Sequence, residues 1–142
     1  MKEVTLAIIK PDAVRSGYYV PIFTVIRANK LTVIKELNCT LSRMVAEMFY
    51  GEHRGKPFYE ELIKLMTSGP LTLLVLEGNE VIKKWRELIG DTDPSKAQAG
   101  TLRQLYGKNK GENAVHGSDS VDSAMREIGL FFPELLRHLC QD

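Results

Sequence analysis

The sequence predicts an α+β fold: a ferredoxin-like, split βαβ sandwich, with helices packed on a four-stranded antiparallel sheet. Three observations predict it. Four short segments are rich in β-branched or consecutive apolar residues. Segments with helical spacing and capping residues fill the intervals between them. The chain has 142 residues, 44% of them hydrophobic, which suits one core. Residues 1–142 are therefore expected to form a single domain.

“EVTLAIIK” reads as a buried strand over Val4–Lys10, stopped by Pro11. “PDAVRSG” reads as a turn or short helix ended by Gly17. “PIFTVIRANK” has Pro21 in its first turn, Ile22, Val25 and Ile26 at helical spacing, and Asn29-Lys30 at its end. “LTVIKELNCTL” is the second strand. Ser42 is the expected N-cap of “RMVAEMFYGEH”, which Gly51 and Gly55 terminate. “PFYEELIKLMTSGP” is a helix with a proline near N1 and a stop at Gly69-Pro70. “LTLLVLEG” is the third and most apolar strand. “NEVIKKWRELIG” takes Asn79 as N-cap and Gly90 as stop. Residues 91–112 are polar and read as one long loop, a length that is usually functional when ordered. “NAVH” is a short fourth strand, and “SDSVDSAMREIGLFF” a helix capped by Ser118 to Ser120 and closed near Pro133. A four-stranded sheet is expected to cover its second face only by association, so an oligomer is expected.

Charge and cysteine usage narrow the function classes. The formal net charge is +1, which gives no global attraction for nucleic acid or an anionic membrane. A few fixed cations still suffice to hold a phosphate. Cys39 and Cys140 lie far apart without metal-ligand spacing, so two free thiols in a reducing compartment are expected. “MKEVTLAIIKPD” meets charge and proline too early for a signal peptide. No apolar run reaches the ~20 residues of a membrane span. A cytoplasmic protein is the expectation.

No P-loop, no G-x-G-x-x-G after a strand and no paired acidic metal motif occurs. Of the three histidines, His53 falls in a connector and His138 on the last helix, and each alone reads as a solvated or satisfied side chain. His116 differs through its neighbours in “NAVHGSDS”. It ends a strand, where functional groups of such folds emerge. A helix start follows at once, with backbone N–H groups and a positive dipole end that favour phosphate. A free imidazole is largely neutral at pH 7, which suits covalent phosphoryl catalysis. Lys10, Arg86 and Arg103 are the cations placed to receive the phosphate, with Thr92 near Arg86.

“IIKPDAV”, “SGP” before a strand, “GDTDP”, “AGTLR” and “NAVHGSDSVDSAMREIGLFFP” resemble the nucleoside diphosphate kinase family, over nearly the whole chain from Thr5 to Phe132. The resemblance implies that His116 attacks the γ-phosphate of ATP or another nucleoside triphosphate through Nδ1. A phosphohistidine then passes the group to a nucleoside diphosphate, with ping-pong kinetics. Mg²⁺ is implied as cofactor, bridging the nucleotide phosphates without a protein cage of its own. Lys10 and Asn113 would contact the sugar, and Lys10 the phosphates as well. Tyr50 would sit beside His116, and Phe58 would stack on the base. Arg86, Thr92 and Arg103 would hold the phosphates. Ser118 and Glu127 would form a supporting layer, with Glu127 orienting the imidazole. A homo-oligomer, hexamer or tetramer, is expected, and neither a membrane nor a specific nucleic acid is expected as partner. The alternative is a nucleotide-binding or regulatory relative with little turnover. The chain departs from the family pattern at Val20, Ala99, Gln104-Leu105-Tyr106 and Glu112. The first departure bears on a turn and on subunit contacts, the others on the long loop.

Overall fold

The computed structural model describes residues 2–139, and side chains as far as 136. Cys140 and the side chain of His138 lie outside that range. The strands are β1 (Lys2–Ile9), β2 (Thr32–Cys39), β3 (Leu71–Asn79) and β4 (Val115–Gly117). The helices are α1 (Pro11–Arg15), α2 (Tyr19–Ala28), α3 (Arg43–Phe49), α4 (Tyr59–Met66), α5 (Val81–Ile89), α6 (Leu102–Tyr106), α7 (Val121–Phe131) and α8 (Pro133–Leu139). The sheet order is β2-β3-β1-β4, and every pairing is antiparallel. This is the expected ferredoxin-like sandwich.

Residues of β1 alternate between two cores, as the period of a strand dictates. Val4, Leu6 and Ile8, with Leu71, Leu73 and Val75 of β3, pack under α3, α4 and α7. Ala7 and Ile9, with Leu74 and Leu76, pack under α2 and α5. Both faces are thus covered by this chain's own helices, and the expectation that the second face needs a partner is corrected. The chain has enough amphipathic helices to close both sides. Among the described residues, no helix is long and apolar enough to cross a membrane.

Several boundaries follow local chemistry as expected. Ser42 Oγ accepts from Val45 N at 3.2 Å, and Gly90 ends α5 with a φ of +87°. Others shift. Asn79 is the last residue of β3 and does not cap α5. Glu80 occupies that place with a φ of +51°, and the carboxylate of distant Glu3 accepts from Ile82 N at 3.1 Å. Pro57 precedes α4, whose N-cap is Phe58. Ser120 alone caps α7. The expected long loop is broken by α6, which Thr101 caps. The departures in that region are accommodated. Gln104 Oε1 accepts from Gly100 N at 3.0 Å, the Tyr106 ring lies 4.6 Å from Tyr18, and Glu112 sits 3.7 Å from Arg15. Val20 lies in the first turn of α2 and is exposed.

Candidate active site

The site begins with a strained turn. Ala114 has a φ of +74°, and Val115 N donates to Asn113 O at 2.9 Å, which closes a γ-turn just before β4. A positive φ at a residue with a Cβ persists only when its surroundings over-determine it. Here they do. Ala114 N donates to Asp12 Oδ2 at 3.0 Å, and Ala114 O accepts from Lys10 N at 2.9 Å.

The turn delivers His116 to the middle of β4, opposite Ile8. Directly opposed residues share a face, so the ring points to the side covered by α3 and α7. Phe49 meets it edge-on, with centroids 5.1 Å apart. His116 Nε2 lies 2.9 Å from Glu127 Oε1, and Ser118 Oγ donates to the same oxygen at 2.8 Å. Ser118 in turn accepts from Leu6 N at 3.1 Å, which ties the network to β1. The His116 side chain keeps 20% of its surface exposed while that of Glu127 keeps 6%. The ring is therefore anchored from inside and open at its rim.

On the other face, Gly117 lies against Trp85. A Cβ at Gly117 would come within 2.6 Å of Trp85 Cδ1. Trp85 Nε1 donates to His116 O at 3.0 Å, and Arg86, next on α5, reaches Gly117 O at 3.3 Å. One helix thereby fixes the strand backbone and brings a guanidinium alongside.

Two further cations are buried. Lys10 Nζ donates to Asn113 Oδ1 at 2.9 Å and to Gly111 O at 2.7 Å. Burial pushes its pKa down to about 8, against a raising pull from Asp12. Arg103 donates to Gly90 O and Val115 O, each at 3.0 Å, and its buried Nε–H has no partner. Burial and then Arg86 push its pKa down to about 10, so it stays charged at neutral pH. Three cations converge near a few buried carboxylates, an arrangement that suits an anion.

The remaining expected residues divide. Asn113 is buried and Nδ2 donates to Thr92 O at 3.0 Å, so Thr92 joins through its backbone while its side chain is exposed. Tyr50 caps the C-terminus of α3. Burial raises its pKa, and the Glu127 charge adds to that effect. Phe58 does not touch His116. It is 47% exposed, and its ring lies 5.6 Å from His53, which lies 6.0 Å from Tyr50. These rings form an aromatic line leading outward from the site.

The family model described as nucleoside diphosphate kinase matches residues 3–136. The chain belongs to the nucleoside diphosphate kinase family. It is 47% identical over 130 residues to the nucleoside diphosphate kinase of Bdellovibrio bacteriovorus, covering 92% of each chain. The solved Aquifex aeolicus nucleoside diphosphate kinase superposes with a TM-score of 0.91 at 38% identity, covering 95% of this chain and 98% of that one. The Halobacterium salinarum enzyme, solved in complex with CDP, gives 0.90 at 36% identity over 93% and 88%. The kinase is a phosphotransferase that moves the γ-phosphate of a nucleoside triphosphate to a nucleoside diphosphate.

Four residues packed around this candidate site do not stand out in the sequence as functional: Asp12, Phe49, Trp85 and Gly117. Asp12 carried a signal, an acid directly after Lys10-Pro11 in a strand-to-helix turn. Nothing in the sequence sets Phe49 or Trp85 apart from other apolar helix residues, and both are buried in the core. Gly117 needs no positive φ, so only its close contact with Trp85 reveals it.

Proposed function

We propose that His116 carries the phosphoryl group of this kinase reaction as a phosphohistidine on Nδ1. The supporting observation is the orientation of the ring: Nε2 is held by Glu127 at 2.9 Å, while no described protein group bonds Nδ1. A neutral imidazole with its proton on Nε2 presents a lone pair on Nδ1. That lone pair forms the N–P bond as the bond from the γ-phosphorus to the β,γ-bridging oxygen breaks. The diphosphate leaves with the bonding electrons. The ring takes positive charge, which the Glu127 carboxylate stabilises. A second diphosphate then attacks phosphorus from the same side, and the steps run in reverse.

Lys10, Arg86 and Arg103 neutralise the transferring phosphate, and Thr92 lines the same rim. Phosphoryl transfer depends on such positioning and charge more than on covalent chemistry. Two of the Lys10 ammonium's three protons are held by Asn113 and Gly111, and the third is free for the nucleotide. Asn113 orients Lys10 and faces the sugar. Tyr50 stays a neutral phenol beside the phosphate. Phe58 offers an exposed face for the base, and stacking accepts any base.

Among the described residues no group of three or more His, Cys, Asp or Glu side chains comes together. The donor set suits Mg²⁺ that arrives on the nucleotide phosphates and keeps its waters. When bound, the ion would neutralise phosphate charge alongside the three cations. We also place in this proposal a single working domain, a cytoplasmic location and a homo-oligomer, hexamer or tetramer. For the last, β2 ends the sheet with an unpaired outer edge and Leu37 is 42% exposed.

The deciding experiment incubates the protein with ATP labelled on the γ-phosphate, then adds GDP. Acid-labile label on the protein, chased into GTP, is the expected result. Its absence from His116→Ala completes the assignment, and label retained there would overturn it. Sedimentation reads the assembly.

A further inference from the structure

Asp12 is a buried acid with no role in the phosphoryl-transfer scheme above. It is 6% exposed. One oxygen, Oδ2, accepts from Ala114 N at 3.0 Å, across 102 residues of sequence. The other, Oδ1, is buried without a partner. A carboxylate in that condition is costly, because burial of charge demands compensation. An amide would cap Ala114 N equally well. What an amide lacks is negative charge.

The surroundings show where that charge is directed. Lys10 faces Asp12 from α1, Arg103 from α6 and Glu112 from the loop before β4. Asn113 Oδ1 and Gly111 O, its direct partners, are neutral. Glu112 is partly exposed and pairs with Arg15 at 3.7 Å, so solvent screens it. Arg103 repels Lys10. Asp12 is therefore the buried acid that supports the ammonium. Its charge also adds, after burial and Glu127, to what keeps the Tyr50 phenol protonated. The two roles converge on one segment. The Asp12 side chain holds Ala114 N, the Lys10 backbone holds Ala114 O, and the Lys10 ammonium holds Asn113 and Gly111.

We propose that Asp12 is a positioning residue for phosphoryl transfer, holding Ala114 in its left-handed turn and supplying the negative charge that keeps the buried Lys10 an ammonium. The proposal rests on the His116 reading above. It follows that Asp12 holds the alkaline limit of the enzyme's working range above where burial of Lys10 alone would leave it. Lys10 already sits near pH 8 through burial. Without Asp12 it would lose its proton at lower pH, and with it the grip on the nucleotide.

The test compares wild type, Asp12→Asn and Asp12→Ala for the single-turnover rate of phosphoenzyme formation between pH 6.5 and 9. Asn keeps an acceptor for Ala114 N and removes the charge. The ratio of the Asp12→Asn rate to wild type should fall about sixfold between pH 6.5 and 8.5, as the alkaline limb moves down by about one pH unit. The loss should appear in KM for the nucleotide as well as in kcat. Asp12→Ala should be slower than Asp12→Asn at every pH, because it also releases the turn. An Asp12→Asn profile parallel to wild type would overturn the charge role even if Asp12→Ala fails to fold. A wild-type protein that forms no phosphoenzyme would instead overturn the His116 reading, so the two failures are distinguishable.

Discussion

Glu127 Oε1 lies 2.9 Å from His116 Nε2, joining the fourth strand to the helix that follows it. The same oxygen accepts from Ser118 at 2.8 Å, so a single buried atom fixes the ring's angle and its tautomer. The far nitrogen is left for chemistry.

Glu127→Gln changes that atom's chemistry with little change in shape. An amide can donate to Nε2, which would move the ring proton to Nδ1 and bury the lone pair. Removing the carboxylate also removes the partner of the developing positive charge. The phosphoenzyme rate should fall by about 10²-fold or more, with a smaller effect on nucleotide binding. Rapid-quench measurement of labelled protein checks this. A rate within a few-fold of wild type would contradict the role given to Glu127.

Ser118→Ala should act on stability. Ser118 is the partner of Leu6 N, and both are buried inside the sheet–helix contact. Losing the hydroxyl orphans a backbone N–H and should cost about 1–3 kcal/mol. Urea unfolding midpoints at constant slope measure it.

Lys10 links stability to pH. Its folded pKa is about 8 against an ordinary 10.5, because burial disfavours the charged form. The unfolded chain thus binds more protons between these values, and stability rises with pH across that window. Relative to Lys10→Met, wild type should gain on the order of 3 kcal/mol from pH 8 to pH 10.5. Denaturant titrations of both proteins at several pH values test the slope. A flat difference would mean that Lys10 is not the desolvated ammonium described here.

Gly117→Ala places a methyl group 2.6 Å from the Trp85 ring, deep in the core between β4 and α5. The overpacking should cost about 1–3 kcal/mol. It should also push the indole from His116 O and slow transfer. Thermal unfolding and the phosphoenzyme rate should fall together. Recovery of one without the other would separate packing from alignment.

Phe58→Ala should do the opposite. The side chain is 47% exposed at the start of α4, so little packing is lost. KM for nucleotides should rise about tenfold, for every base alike, while unfolding shifts by no more than about 0.5 kcal/mol. A strong preference for one base in the variant would refute stacking as its role.

Much of this molecule was legible from neighbouring residues. Ser42, Ser120 and Gly90 mark helix ends through contacts spanning a turn, and local composition suffices to read such contacts, whereas the Thr101 cap of α6 lies inside a stretch that reads as loop. The fold class and, apart from α6, the order of the elements follow from β-branched runs, helical spacing and end signals, and His116 stands out by its place between strand and helix start. The misplaced cap of α5 shows the limit, since Glu3 reaches Ile82 N across 79 residues. Covering of both sheet faces was missed for a related reason: pattern shows that a helix has an apolar side, and not which face it closes.

By itself, then, the order of amino acids determined most of the elements, their sequence and the chemical groups available: an imidazole, a lysine, two arginines and an acid eleven residues beyond the imidazole. Only the folded chain decided how they meet. Trp85 finds His116 O across 31 residues, and Asp12 finds Ala114 N across 102. Both contacts depend on β1 lying between β3 and β4 in one register. That register is a cooperative result of two cores packing at once, and no short window of residues contains it.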